Sequence, residues 1–133
     1  MRVAELMRTE VKSVVPDATV GEALVTLADA HVSGVPVVDA HDRLLGVVST
    51  TDILTALAES TEAGARERLL NETAVREIMT PRPAVVAPDA DVLEAARDLL
   101  YLEVHRLFVE DGGRLVGVIS QTDIVGAVAT AKI

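Results

Sequence analysis

The sequence predicts a mixed α/β (α+β) fold, two β-α-β-β-α units in succession related by a pseudo-two-fold axis. Three observations predict it. The segment from Val3 to Leu54 recurs from Val75 to Val125, and each copy passes through helical-period and β-rich stretches in the same order. Half of the 133 residues are hydrophobic, which suffices for one substantial core but not for two large independent domains.

A short helical turn opens each copy, Val3–Met7 and Val75–Met79, followed by a short extended stretch, Val11–Val15 and Ala84–Val86, that ends at proline. A helix comes next, and its start carries a capping signature: Thr19-Val20-Gly21-Glu22 in the first copy, and Asp91-Val92-Leu93-Glu94, with Asp in the capping place, in the second. Apolar residues then keep helical spacing. Val20, Ala23, Leu24, Leu27 and Ala28 form one stripe and Val92, Ala95, Ala96, Leu99 and Leu100 the other, and both stripes are expected to be core. Two β-rich runs follow in each copy, Val35–Val38 with Leu44–Val48 and Leu107–Val109 with Leu115–Ile119. Polar turns separate them, and Asp111-Gly112-Gly113 is a hairpin signal because Gly takes positive φ without a steric penalty. A second helix begins near Thr51 and near Thr122.

The matched pairs are numerous. Val3, Glu5, Met7, Val14, Pro16 and Asp17 correspond to Val75, Glu77, Met79, Val86, Pro88 and Asp89, and Gly46, Ser49, Thr51 and Asp52 to Gly117, Ser120, Thr122 and Asp123, after a one-residue slip in the hairpin. Loops absorb such slips cheaply. The repeats set the organisation: residues 1–58 form the first domain, 59–74 a polar helical linker rich in Glu and Arg, and 75–133 the second domain. A copy of about 50 residues buries too little surface to stand alone. The two are therefore expected to share a core, sheet face against sheet face, with equivalent clefts lined by both.

Composition excludes several classes of function. A net charge of −9 opposes binding to nucleic acid, whose affinity rests on Lys and Arg displacing counterions, and Tyr101 and Phe108 are the only aromatic residues, too few for a stacking platform. Without cysteine there are no disulfides, thiol nucleophiles or thiolate metal sites. No apolar run approaches the roughly 20 residues that cross a bilayer, and no secretory signal is visible, so a soluble, cytoplasmic protein is expected. A small anion stays possible, because a helix N-terminus with one or two cations holds phosphate despite the global charge.

The order of elements, with Gly46-Val47-Val48-Ser49-Thr50-Thr51-Asp52 and Gly117-Val118-Ile119-Ser120-Gln121-Thr122-Asp123 at the last strand-to-helix junctions, resembles the cystathionine β-synthase (CBS) domain. Met7-Arg8-Thr9, Met79-Thr80-Pro81 and Ser33-Gly34-Val35-Pro36-Val37-Val38 stand in the expected places, so the resemblance covers nearly the whole chain. The second copy departs from the pattern with His105-Arg106-Leu107-Phe108-Val109. The resemblance implies a tandem pair, a Bateman module, whose clefts bind AMP, ADP, ATP or another adenosyl compound, with no cofactor required. It implies that Asp52 and Asp123 accept from ribose hydroxyls. Ser49 and Ser120, with Thr51 and Thr122, would donate to phosphate at the helix start, where amides and dipole favour negative charge.

Ser-x-x-Asp is also a capping box that satisfies a helix start with no ligand, and both readings stand. Arg106 opens an apolar strand and either faces phosphate at a cleft mouth or snorkels to the surface. His105 beside it is read either as a ligand contact or as an exposed polar residue, and Val35 and Pro36 either as an apolar wall for a base or as hairpin core. His31 and His41 are expected to be structural or solvent-facing. No catalytic constellation is visible: no Walker-type loop, no metal-spaced His pair, and carboxylates in equivalent rather than asymmetric places. The chain is thus read as a non-enzymatic sensor module, expected to form a homodimer, acting on an unidentified effector protein and binding neither nucleic acid nor membrane. The alternative is a constitutive dimerisation or protein-interaction module with empty clefts.

Overall fold

Two strand glycines decide how each half of the chain closes. A computed structural model describes residues 1–133 and divides them into two compact units, Lys12–Pro83 and Met1–Val11 with Ala84–Ile133. The sequence repeats and the compact units therefore differ: the segment that leads each repeat is built into the unit formed by the body of the other.

In the unit Lys12–Pro83, α2 (Val20–Ala30) is followed by β1 (Gly34–Val38), β2 (Leu44–Ser49), α3 (Thr50–Glu59) and α4 (Ala65–Glu72), then a 3₁₀ turn (Val75–Glu77) and β3 (Thr80–Pro81). The sheet order is β1-β2-β3, antiparallel throughout. Helix α2 starts as expected: Thr19 Oγ1 accepts from the Glu22 amide at 3.1 Å and Glu22 Oε2 accepts from the Thr19 amide at 2.9 Å. It ends at His31 in the left-handed region (φ 54°), which turns the chain into β1. Val14, Val20, Ala23, Leu27, Val35, Val37, Val48, Ile53, Leu69 and Val75 form the core.

The other unit begins with α1 (Val3–Leu6) and continues with β4 (Val85–Val86), α5 (Val92–Tyr101), β5 (Arg106–Asp111), β6 (Arg114–Ser120) and α6 (Gln121–Ala129). Its sheet order is β4-β5-β6, with β4 parallel to β5 and the hairpin antiparallel. Gly112 and Gly113 turn that hairpin with φ of 60° and 85°. Val3, Val86, Val92, Ala95, Leu99, Leu107, Val109, Ile119 and Ile124 form its core.

The leading segments dock against strand glycines. A Cβ on Gly46 would lie 2.8 Å from Met79 Sδ and from the Thr80 carbonyl oxygen, and one on Gly117 would lie 2.7 Å from Met7 Sδ and 2.8 Å from the Arg8 carbonyl oxygen. Only glycine permits that approach, which lets Thr80 pair with Val47 and Arg8 with Val118.

Four expectations need correction. The stretch Val11–Val15 is not a strand: it keeps a single bridge, Val14 to Val37, because only Val14 has its amide and carbonyl on β1. Asp91 caps α5 through the Leu93 amide at 2.8 Å, without the reciprocal bond from Glu94, a carboxylate reaching the second amide as readily as the third. In the linker, helix is confined to Ala65–Glu72, since Gly64 at φ 77° sets its start. The stripes are only partly core: Val20, Ala23, Leu27, Val92, Ala95 and Leu99 are buried, while Leu24, Ala28 and Leu100 face outward, Leu100 being 74% exposed. A core-facing face of 3.6 periodicity is narrower than the apolar stripe written in the sequence. No helix is long and apolar enough to cross a membrane.

Candidate functional site

Each unit presents one strand-to-helix corner where the predicted site residues meet. Ser49 ends β2 in extended geometry and caps α3: its Oγ accepts from the Asp52 amide at 3.1 Å, and its own amide donates to Asp52 Oδ2 at 2.8 Å. Ser120 does the same for α6, with 3.1 Å to the Asp123 amide and 2.9 Å to Asp123 Oδ2. Both capping boxes close without a ligand, so this half of the sequence expectation holds at both corners. Thr51 and Thr122 sit one turn position earlier on the helices and are exposed.

The remaining carboxylate oxygens distinguish the corners. Asp52 Oδ1 accepts from the Thr80 hydroxyl at 3.1 Å. Asp123 Oδ1 instead accepts from Arg8 Nε at 3.0 Å in an ion pair, the Asp123 side chain being 8% exposed and that of Arg8 71%. Thr80 and Arg8 occupy the same place in the two copies, and neither was assigned a role from sequence. Their motifs were visible, but a partnership with a carboxylate far along the chain leaves no local signal.

The hairpins add a second difference. Strand register puts Gly34 opposite Ser49 and Arg106 opposite Ser120, and directly opposed residues share a sheet face. Arg106 thus lies beside Ser120 and is half-buried, and burial pushes its guanidinium below the ordinary value while leaving it charged at neutral pH. His105 is exposed, and its carbonyl accepts from the Gln121 amide at 3.0 Å, as the Ser33 carbonyl does from Thr50 at 2.9 Å. Val35 is buried within the core of its unit, and Pro36 is buried beside it on β1. His31 and His41 are exposed turn residues.

On the helical side of the first unit lies an apolar groove of about 380 Å³, lined by Leu24, Leu27, Ala28, Val32, Ile53 and Leu54 among others. Apart from Thr50 its lining is aliphatic and suits apolar contact, not a sugar phosphate. No cluster of His, Cys, Asp and Glu is arranged to hold a metal ion.

The CBS-domain profile matches residues 3–59 and 75–130. The chain is 34% identical over 139 residues to the CBS domain-containing protein CBSX1, chloroplastic, of Arabidopsis thaliana, covering 88% of this chain and 58% of CBSX1. It is 34% identical over 123 residues to inosine-5'-monophosphate dehydrogenase of Methanocaldococcus jannaschii, covering 91% of this chain but 22% of that enzyme. The chain therefore spans less than two thirds of these relatives. Among solved structures, that of Arabidopsis CBSX2 in complex with AMP is similar, with a TM-score of 0.83 and 33% identity over 99% of this chain and 98% of that one. With the profile matched twice and both corners built alike, the chain belongs to the CBS-domain family and carries the domain as a tandem pair.

Proposed function

We propose that this chain is a regulatory module that binds an adenine nucleotide, AMP, ADP or ATP, or another adenosyl compound, at its Ser-x-x-Asp corners. The observation that carries the reading is the doubled corner, in which a capped helix start and an oriented carboxylate lie side by side, in a chain 33% identical to CBSX2, which was crystallised with AMP. Asp52 and Asp123 would take ribose hydroxyls. Ser49, Thr51, Ser120 and Thr122 would meet phosphate with the first helical amides, and Arg106, beside Ser120, supplies a cation. His105 completes the set of contacts proposed for the ligand, whereas Val35 and Pro36, expected as an apolar wall for a base, are buried and serve as hairpin core. The signal is a difference in affinity between two arrangements of the module, since a ligand bound equally by both shifts nothing. It passes to an effector protein.

Calorimetric titration of the chain with AMP, ADP, ATP and S-adenosylmethionine tests this reading. Saturable binding that is lost when Asp52→Ala and Asp123→Ala are combined supports it, and absence of heat and of thermal shift with all four ligands removes it. A second reading, a constitutive homodimerisation or interaction module, is favoured by the exposed apolar helical faces. Leu24, Val25 and Leu54 project from one unit and Leu93, Leu100 and Val125 from the other. Sedimentation equilibrium separates the two: a ligand-independent dimer that binds no nucleotide is the second reading's outcome.

A further inference from the structure

The two corners share a backbone frame but not a partner for their carboxylate, and this difference has a chemical consequence. Arg8 and Thr80 each dock by the same bridge, to Val118 and to Val47, so at this position only the side chain separates the corners. We infer that Arg8 is a specificity-determining residue. By holding Asp123 Oδ1 it withholds that carboxylate from ribose hydroxyls, so that a nucleoside takes the Asp52 corner first. The inference rests on the nucleotide reading above.

A carboxylate offers about four acceptor positions, and both are partly filled by the capping serine amide. At Asp52 the other occupant is a neutral hydroxyl on an exposed residue. A ribose hydroxyl that displaces it exchanges one O–H donor for another, while Thr80 turns to water. At Asp123 the occupant is a guanidinium, and displacing it breaks a charge-assisted hydrogen bond and separates an ion pair at a carboxylate that is 8% exposed. A ribose hydroxyl that joins without displacing Arg8 meets a carboxylate whose charge is already compensated, which makes it the poorer acceptor. Both bonds are charge-assisted, since the carboxylate is ionised in each, and the exposed Arg8 ion pair adds roughly 0.5–1 kcal/mol to the neutral hydroxyl's contribution, which corresponds to about twofold to fivefold in affinity. Arg106 draws phosphate and not ribose, so adenosine, which has no phosphate, isolates the effect.

The experiment exchanges the two side chains. Adenosine and AMP are titrated calorimetrically into the wild-type chain, Arg8→Thr and Thr80→Arg, with thermal melts to verify folding. Each variant installs the residue that the other copy already carries at the same bridge. The wild type is expected to show one tighter class of site, which Asp52→Asn removes. Arg8→Thr should tighten the second class by about twofold to fivefold for adenosine, and Thr80→Arg should weaken the first by a similar factor. Two equal classes in the wild type, unchanged by Arg8→Thr, or weaker adenosine binding in that variant, overturn the inference while leaving the nucleotide reading intact. Absence of binding in the wild type and in Arg8→Thr overturns both.

Discussion

Replacing Gly117 with alanine would test the packing of a leading segment most directly. The added Cβ would stand 2.7 Å from Met7 Sδ and 2.8 Å from the Arg8 carbonyl oxygen. A thioether tip can swing aside, but that carbonyl belongs to hydrogen-bonded backbone. Arg8 N–H donates to the Val118 carbonyl and Val118 N–H to the Arg8 carbonyl, each at 2.9 Å. Relief therefore requires Met7 and Arg8 to lift from β6. Overpacking of this kind costs roughly 1–3 kcal/mol, and weakening two backbone hydrogen bonds adds about 1 kcal/mol. For 133 residues the unfolding entropy is roughly 0.28 kcal/mol/K, so a loss of about 3 kcal/mol lowers Tm by roughly 10 °C. Gly126→Ala is the control, since that helical glycine has nothing within 4 Å of an added Cβ. It should gain about 0.5–1 kcal/mol and raise Tm by roughly 2–4 °C. Differential scanning calorimetry reads both variants. If Gly117→Ala melts no lower than the wild type, the close approach of the leading segment to β6 is not what holds it.

Three further outcomes follow from the same geometry. Leu99→Ala should cost about 2–5 kcal/mol by leaving a core cavity, whereas Leu100→Ala, at the 74%-exposed neighbour, should stay within about 0.5 kcal/mol in urea titrations of dilute protein. Ser49→Ala and Ser120→Ala each remove a cap acceptor and should each lose about 1 kcal/mol by the same assay. Asp39 is held below the usual carboxylate range, first by the Arg43 amide, which outweighs an opposing desolvation effect, with a lesser lowering from the His41 amide. A depressed folded pKa stabilises above the unfolded pKa of about 4 and is lost as pH falls through the folded value, so Tm should drop more steeply on acidification in the wild type than in Asp39→Asn.

What the sequence made legible were features with a period or a local signature. The hairpin strands emerged near their observed bounds, Gly34–Val38 with Leu44–Ser49 and Arg106–Asp111 with Arg114–Ser120, because apolar runs bracket polar turns. Thr19 and the two Ser-x-x-Asp junctions were readable as caps because a capping box spans only four consecutive residues. β3, two residues long, has no period to detect. Nor does the bridge from Arg8 to Val118, which joins distant parts of the chain. The same long range hid the pairs that complete the corners, Thr80 with Asp52 and Arg8 with Asp123. Burial of α2 and α5 was overstated for a different reason. Helical spacing marks which residues share a stripe, but not how much of it the sheet covers, and Leu24 and Leu100 lie at its uncovered margin.

The duplication itself separates folding constraints from functional ones. Several residues identical in both copies have a structural task in each unit. Val3 and Val75 are fully buried; Glu5 and Glu77 accept from the backbone amides that start their turns; Met7 and Met79 lie over Gly117 and Gly46; and the Ser and Asp pairs cap α3 and α6. Their recurrence therefore serves stability in each unit, and the Ser-x-x-Asp signature carries functional weight through the oriented carboxylate it presents and through what surrounds it. The copies differ at Thr80 against Arg8, Gly34 against Arg106 and Pro36 against Phe108, at positions whose backbone pairing is the same in both units. A fold that tolerates hydroxyl and guanidinium at one bridge, or glycine and arginine opposite one serine, is not choosing between them for stability. Thr80 and Arg8 bond the two carboxylates directly and Arg106 lies opposite the capping Ser120, so chemistry at the corners is the property free to diverge. A binding experiment that treats the corners as equivalent would average over that divergence.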